Sequence, residues 1–204
     1  MKLYYAPGAC SLSPHIVLRE AGLPVELVKV DLRAKKTESG EDFSAINPKG
    51  SVPAVKLDDG EVLTEGAIIV QHIADKAPRT KLAPANGTKE RMRLQEWLNY
   101  IASEVHKGIG QLFNPAMPED YKTAVKSGLA ARQFPYLEKA LAGRDYLLGD
   151  FSAADAYLFT VLNWTAHHKI DLSAFPNIAA YMKRVAARPA VQEAMRAEGL
   201  LKAA

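Results

Sequence analysis

The stretch Leu3-Tyr4-Tyr5-Ala6-Pro7-Gly8-Ala9-Cys10-Ser11-Leu12-Ser13-Pro14-His15 decides how the chain is read. Leu3-Tyr4-Tyr5 has the apolar character of a strand end, and Ala6 to Ala9 is a loop of small residues and backbone breakers. Ile16, Val17, Leu18 and Ala21 then begin a helical pattern. Pro14 suits the first turn of that helix, where a missing N–H has no partner to lose. Cys10, the only cysteine in 204 residues, thus lies on a strand-to-helix turn near the positive end of a helix. Such a place lowers a thiol's pKa and attracts anions. Free cysteines are also often small buried hydrophobes, and the stretch by itself leaves both readings open.

Outward from this turn, Gly22-Leu23-Pro24 stops the helix and Val25 to Asp31 alternates apolar with polar, a strand beside the first. Strand, helix and strand in this order imply a right-handed parallel crossover. Arg33 to Asn47 is expected to form a short irregular helix anchored by Phe43 and Ile46. Asp58-Asp59-Gly60 turns a strand over Ala54 to Leu57 into Val62-Leu63-Thr64, a hairpin. Pro53, just before it, suits a sheet edge or a cis bond. Glu65-Gly66-Ala67 opens a helix on Ile68, Ile69, His72 and Ile73 that closes before Pro78.

Arg79 to Thr88 reads as a linker, and the pattern beyond is helical. The spacing predicts helices over Lys89–Phe113, Glu119–Ala142, Ser152–His168, Phe175–Ala187 and Pro189–Glu198. Ser152-Ala153-Ala154-Asp155 is a capping-box variant ahead of an apolar run. Two domains are expected: α/β over residues 1–80 and all-helical over 87–204.

A net charge of +3 with scattered basic residues argues against a nucleic-acid partner. No apolar run approaches a membrane span, and no signal-peptide pattern opens the chain. A single cysteine excludes an internal disulfide and a cysteine-rich zinc site, so no metal is expected, and it suggests a reducing, cytoplasmic setting.

Three further features carry chemistry. A cis bond at Val52-Pro53 would turn the Val52 N–H and C=O outward, ready to pair with an extended peptide, although a loop proline opening a strand reads the same way. Glu65 with the amides of Gly66 and Ala67 could hold the ammonium and carboxylate of an amino-acid end, or Glu65 could simply complement the helix dipole. Asn99, Ser103 and His106 share one face of the long helix, beside its apolar stripe, which suggests a groove or a subunit contact, although a lone helix histidine is more often structural.

Taken together and in this order, these features resemble the glutathione S-transferases, and among them the bacterial beta class. The likeness runs over essentially the whole chain. It rests on Tyr5, Cys10, Ser11, Ser51-Val52-Pro53, Glu65-Gly66, Ser103-Glu104-Val105-His106 and the Ser152–Asp155 box. One departure is Gly66, where much of the family has serine; a hydroxyl is lost but the backbone N–H is kept.

The resemblance implies an α/β N-terminal thioredoxin-like domain, an all-α C-terminal domain and glutathione as co-substrate. Glutathione contacts fall by this likeness on Tyr5, Cys10, Ser11, Lys35, Val52, Pro53, Glu65, Gly66, Asn99, Ser103, Glu104, Val105 and His106. Cys10 and His106 are the implied catalytic pair, acting on the glutathione thiol. Phe113, Trp164 and His167 are candidates for the pocket of a small hydrophobic electrophile. A cytoplasmic homodimer serving detoxification is implied, with Asn99 and Ser103 reaching the partner's site and halogenated aromatics as one substrate class. Monothiol glutaredoxin-like exchange through Cys10, or a non-catalytic glutathione carrier, are the alternatives on the same fold.

Overall fold

A computed structural model of the chain describes residues 1–201. Its first elements are β1 (Lys2–Tyr5), α1 (Leu12–Glu20), β2 (Glu26–Asp31), β3 (Lys36–Thr37), α2 (Phe43–Ile46), β4 (Ala54–Lys56), β5 (Val62–Thr64) and α3 (Gly66–Lys76). The strands form one sheet in the order β3-β2-β1-β4-β5. β1 and β2 run parallel across the α1 crossover, and the other pairs are antiparallel. This is a thioredoxin-like arrangement.

Side chains alternate along β1 as the pleat requires. Tyr5 meets His15 of α1, with ring centroids 6.3 Å apart. Tyr4 lies on the opposite face with Val28, Val30, Phe43, Val52 and Ala54. α1 packs against α3 and against α11 (Pro189–Ala197), which explains why it is buried from Leu12 to Leu18. The irregular helix expected over Arg33–Asn47 is instead the two-residue β3 and the single turn α2. Asp42 caps that turn by accepting the Ser44 N–H at 2.9 Å. Two paired residues are too few to show a period in sequence.

Beyond the linker, α4 (Lys89–Tyr100) continues through a π-helical stretch at Ile101–His106 into α5 (Lys107–Gly110) and a 3-10 turn at Gln111–Phe113. α6 (Glu119–Gly128) likewise passes through a π-helical stretch at Leu129–Gln133 into α7 (Phe134–Ala140). α8 (Ala153–Leu162), α9 (Trp164–His167) and α10 (Pro176–Ala186) follow. α8 is buried along its whole length, as a helix apolar on all sides should be. Its one carboxylate, Asp155, accepts the Ser152 N–H at 2.9 Å, the Ser152 hydroxyl at 2.7 Å and the Leu147 N–H at 2.9 Å. Among the described residues no helix is long and apolar enough to cross a membrane.

The chain divides into two compact units, Met1–Ala83 with the segment from Arg188 onward, and Pro84–Ala187. The last helix, expected within the 87–204 span, therefore packs with the first unit; the end of that span, past Leu201, lies outside the described residues. Two charged contacts hold it. Arg188 pairs with both oxygens of Glu20, at 2.6 and 2.8 Å. Glu198 accepts from buried His15 Nδ1 at 2.9 Å, while Arg19 Nε donates to the other ring nitrogen at 3.4 Å. Helical spacing shows that α11 has a buried face but not what lies beneath it.

Candidate functional site

Strand register brings three connections to one end of the sheet in the first unit. Tyr4 lies opposite Ala54, and Ala54 opposite Thr64, both in antiparallel pairs. The chain leaving β1, the chain entering β4 and the chain leaving β5 therefore share that end. They carry Cys10, Val52-Pro53 and Glu65-Gly66. The Val52–Pro53 bond is cis. The Cys10 thiol, partly exposed, donates to the Val52 carbonyl oxygen at 3.1 Å.

The loop before Val52 is built from inside. Asn47, almost fully buried, donates its side-chain N–H to the Ser51 carbonyl at 2.7 Å and accepts the Lys49 N–H at 3.1 Å. Lys35, itself at a positive φ of 54°, reaches across and donates to the Gly50 carbonyl at 2.6 Å. Gly50 has φ +60°, and a Cβ there would sit 3.3 Å from the Lys35 ammonium. An ammonium has three donors, so Lys35 can hold this loop and still face an anion.

Glu65 stands out by its backbone. Its φ of 69° with ψ of 109° is rare for a residue with a side chain. Residues held in such conformations cluster at ligand clamps. The carboxylate makes no capping bond to α3, so it is not simply a helix cap. It pairs with Lys49 Nζ at 2.6 Å, and that ammonium also donates to Thr64 Oγ1 at 2.9 Å. Both partners are more than half exposed, so the pair is weak and open to exchange.

The side chains of three sequence candidates are buried. Ser11 is fully buried, and its hydroxyl donates to the Ala6 carbonyl and accepts the Ala6 N–H, each at 3.2 Å. It fastens the Cys10 loop, with its side chain buried. Tyr5 is buried beside His15, and burial, with the Glu198 carboxylate adding, pushes its phenol up. Val105 is fully buried in the helical unit's core, so it cannot touch glutathione through its side chain. The reading also missed Glu198, which accepts the Gly8 N–H at 2.9 Å and so ties the Cys10 loop to the C-terminal segment. No local spacing links it to Gly8 or His15.

In the helical unit, Asn99, Ser103 and Glu104 are exposed, and Ser103 returns its hydroxyl to the Asn99 carbonyl at 3.0 Å. His106 belongs to a different group. Its Nδ1 lies 2.6 Å from the Tyr157 hydroxyl, and its ring meets Trp164 edge-on at 5.0 Å. Burial pushes the imidazole down to about 4, with Lys107 adding, so it is neutral at pH 7. Phe113 contacts both Trp164 and His167: it meets Trp164 edge-on at 5.4 Å and stacks on His167 at 5.2 Å. Phe113 remains 47% exposed, available to an apolar ligand. The open groove of about 590 Å³ in this unit is lined by other residues, including Ser103, Glu104, Lys107 and Arg132. Tyr157 was missed; its helical spacing from Trp164, on the same apolar run, was the available signal.

Known proteins carry the same pattern. Residues 8–76 match the family described as "Glutathione S-transferase, N-terminal domain", and residues 100–189 the "Glutathione S-transferase, C-terminal domain". The chain belongs to the glutathione S-transferase family. It is 52% identical to glutathione S-transferase GstA of Escherichia coli O157:H7 over 202 residues, which are 98% of this chain and 100% of that one. A beta-class glutathione S-transferase of Sphingomonas chungbukensis superposes with a TM-score of 0.95 at 47% identity, covering 98% of this chain and 100% of its own. A sphingomonad glutathione S-transferase complexed with glutathione gives a TM-score of 0.94 at 49% identity, with the same coverage. Glutathione is the co-substrate of this family.

Proposed function

We propose that the protein transfers the thiolate of glutathione to small hydrophobic electrophiles, halogenated aromatics among them. The observation that carries this reading is the sheet end where a thiol, a cis Val52–Pro53 bond and a strained acidic residue meet. Its handles suit an extended peptide with charged ends. The Val52 backbone pairs with the cysteinyl unit, as in strand addition. Glu65 receives the γ-glutamyl ammonium, and the first amides of α3, at Gly66 and Ala67, receive its carboxylate. Lys35 faces the glycine carboxylate. The sphingomonad relative complexed with glutathione supports glutathione as the ligand.

The chemical task is to ionise a thiol whose ordinary pKa is about 8.5. The N-terminus of α1 and the Cys10 loop supply positive potential, and neutral His106 serves as a hydrogen-bond donor. Phe113, Trp164 and His167 form the apolar side that receives the electrophile. The active species is a homodimer, with Asn99 and Ser103 offered to the partner's site. The exposed Ile68 and Met92, 50% and 61% accessible, are the kind of apolar surface a subunit contact covers.

A glutathione-dependent activity screen over aryl halides, epoxides, peroxides and mixed disulfides tests the reaction. Turnover of aryl halides is the expected result; glutathione binding without turnover of any of them would favour a carrier. Glu65→Ala is expected to raise KM for glutathione about tenfold or more, a loss of roughly 1.4 kcal/mol, with kcat little changed. An unchanged KM would remove Glu65 from the site.

A further inference from the structure

We propose that Tyr157 is a positioning residue that fixes the tautomer of His106, donating its hydroxyl hydrogen to Nδ1 and leaving the ring proton on Nε2. This rests on the reading of His106 as the partner of the glutathione thiol. The two atoms are 2.6 Å apart, and the relative strengths of donor and acceptor set the direction of the bond. A phenol O–H is a stronger donor than a neutral imidazole N–H, and an imidazole nitrogen is a stronger acceptor than a phenol oxygen, so the hydroxyl donates. A neutral imidazole has one donor and one acceptor nitrogen, so occupying Nδ1 as acceptor assigns the proton to Nε2.

The surroundings hold this arrangement in place. Tyr157 is 3% exposed and projects from α8, the buried helix that Asp155 and Ser152 anchor at its start. The Tyr157 and His106 rings meet edge-on at 85°, and Trp164 closes another side of the imidazole. On the remaining edge stands Gly110. A Cβ there would lie 3.3 Å from His106 Cδ2, 3.5 Å from Trp164 and 3.8 Å from His106 Nε2. A side chain at 110 would crowd the Cδ2–Nε2 edge, so its absence leaves the donor edge clear. Burial keeps the imidazole neutral, which makes the choice of tautomer matter. The wrong tautomer would present a lone pair to a thiolate, and the right one presents an N–H.

Nitrogen-15 spectroscopy of the full protein labelled at its five histidines reads this directly. The His106 resonance is assigned by its loss in His106→Gln. The expected wild-type signature is a protonated Nε2 and an unprotonated Nδ1 at pH 7. Tyr157→Phe, which keeps the ring and its edge contact, is expected to mix the two tautomers. It should also lower kcat for glutathione conjugation about tenfold while leaving KM for glutathione unchanged. A proton on Nδ1 in the wild type, or an unaltered single tautomer in Tyr157→Phe, overturns the proposal without need of any activity. Full activity in His106→Gln, with the tautomer as expected, would instead overturn the reading of His106 as the thiol's partner.

Discussion

The two units present their candidate groups by different means. In the first, the candidate groups are largely backbone: the Val52 peptide, the amides opening α3 and the positive φ of Glu65, gathered at one end of the sheet. In the second they are side chains, where His106, Trp164 and Phe113 depend on each other's packing. Backbone groups cannot be removed by a point substitution, so the first unit should lose affinity in steps as single anchors go. The helical unit should be more brittle, because one misplaced helix moves its whole group.

The sharpest test of that contrast is Asp155→Ala. Its carboxylate satisfies two buried backbone N–H groups, of Ser152 and Leu147, together with the Ser152 hydroxyl. Leaving buried donors unpaired costs about 1–3 kcal/mol each, so a loss of about 4 kcal/mol is expected in urea unfolding. Activity should fall along with it, since α8 carries Tyr157. A loss under about 1 kcal/mol would show that the helical unit does not depend on this anchor.

What the sequence made legible follows the same division. The strand-to-helix turn at Cys10, the hairpin at Asp58-Asp59-Gly60, the proline before β4 and the Ser152–Asp155 box were readable because each is written in adjacent residues. β3 was not, because two residues carry no period. The seating of α11 was not, because the partners of Glu198 are His15 and Gly8, far away in sequence. Ser11, Tyr5 and Val105 are buried, which the sequence did not reveal. Each adjoins exposed or loop residues in the chain, and only burial in three dimensions separates a residue that supports the site from one that faces a ligand. For Tyr157 the chemistry lay in a single hydroxyl within an apolar run, where the apolar pattern dominates.

The acid response should come next in size. His106 in the unfolded chain takes a proton near 6.5, whereas in the folded protein it resists protonation until about 4, chiefly through burial. The unfolded state thus binds more protons in that window, and stability attributable to this group is lost as pH falls through it. The full shift corresponds to roughly 3 kcal/mol. Asp155 works in the opposite sense: burial raises its carboxyl from 3.8 to about 6, so its share of stability falls as pH rises over that range. The total curve therefore partly conceals each group. The difference between wild type and His106→Gln in urea unfolding at pH 7 and pH 4.5 isolates the histidine. The variant should lose less stability on acidification; equal losses would show that His106 is not held neutral by the helical unit.

The smallest effect is expected at Cys10, on the backbone-built side. Its thiol donates to the Val52 carbonyl, and Cys10→Ala frees that oxygen without disturbing the loop, which Ser11 and Glu198 fasten independently. Ser11 cannot substitute for the lost thiol, because its hydroxyl already serves the Ala6 peptide at both donor and acceptor. The α1 terminus and His106 remain to favour a glutathione thiolate. Conjugation should accordingly fall less than tenfold in kcat, under about 1.4 kcal/mol, with KM for glutathione unchanged because Val52, Glu65 and Lys35 are intact. Any exchange with mixed disulfides that runs through Cys10 as nucleophile, the rival glutaredoxin-like reading, should vanish in the same variant. If conjugation is abolished outright while glutathione still binds, Cys10 must form a bond to sulfur during turnover. The backbone frame would then be serving a glutaredoxin-like nucleophile, and the division between a binding unit and a reacting unit would not hold.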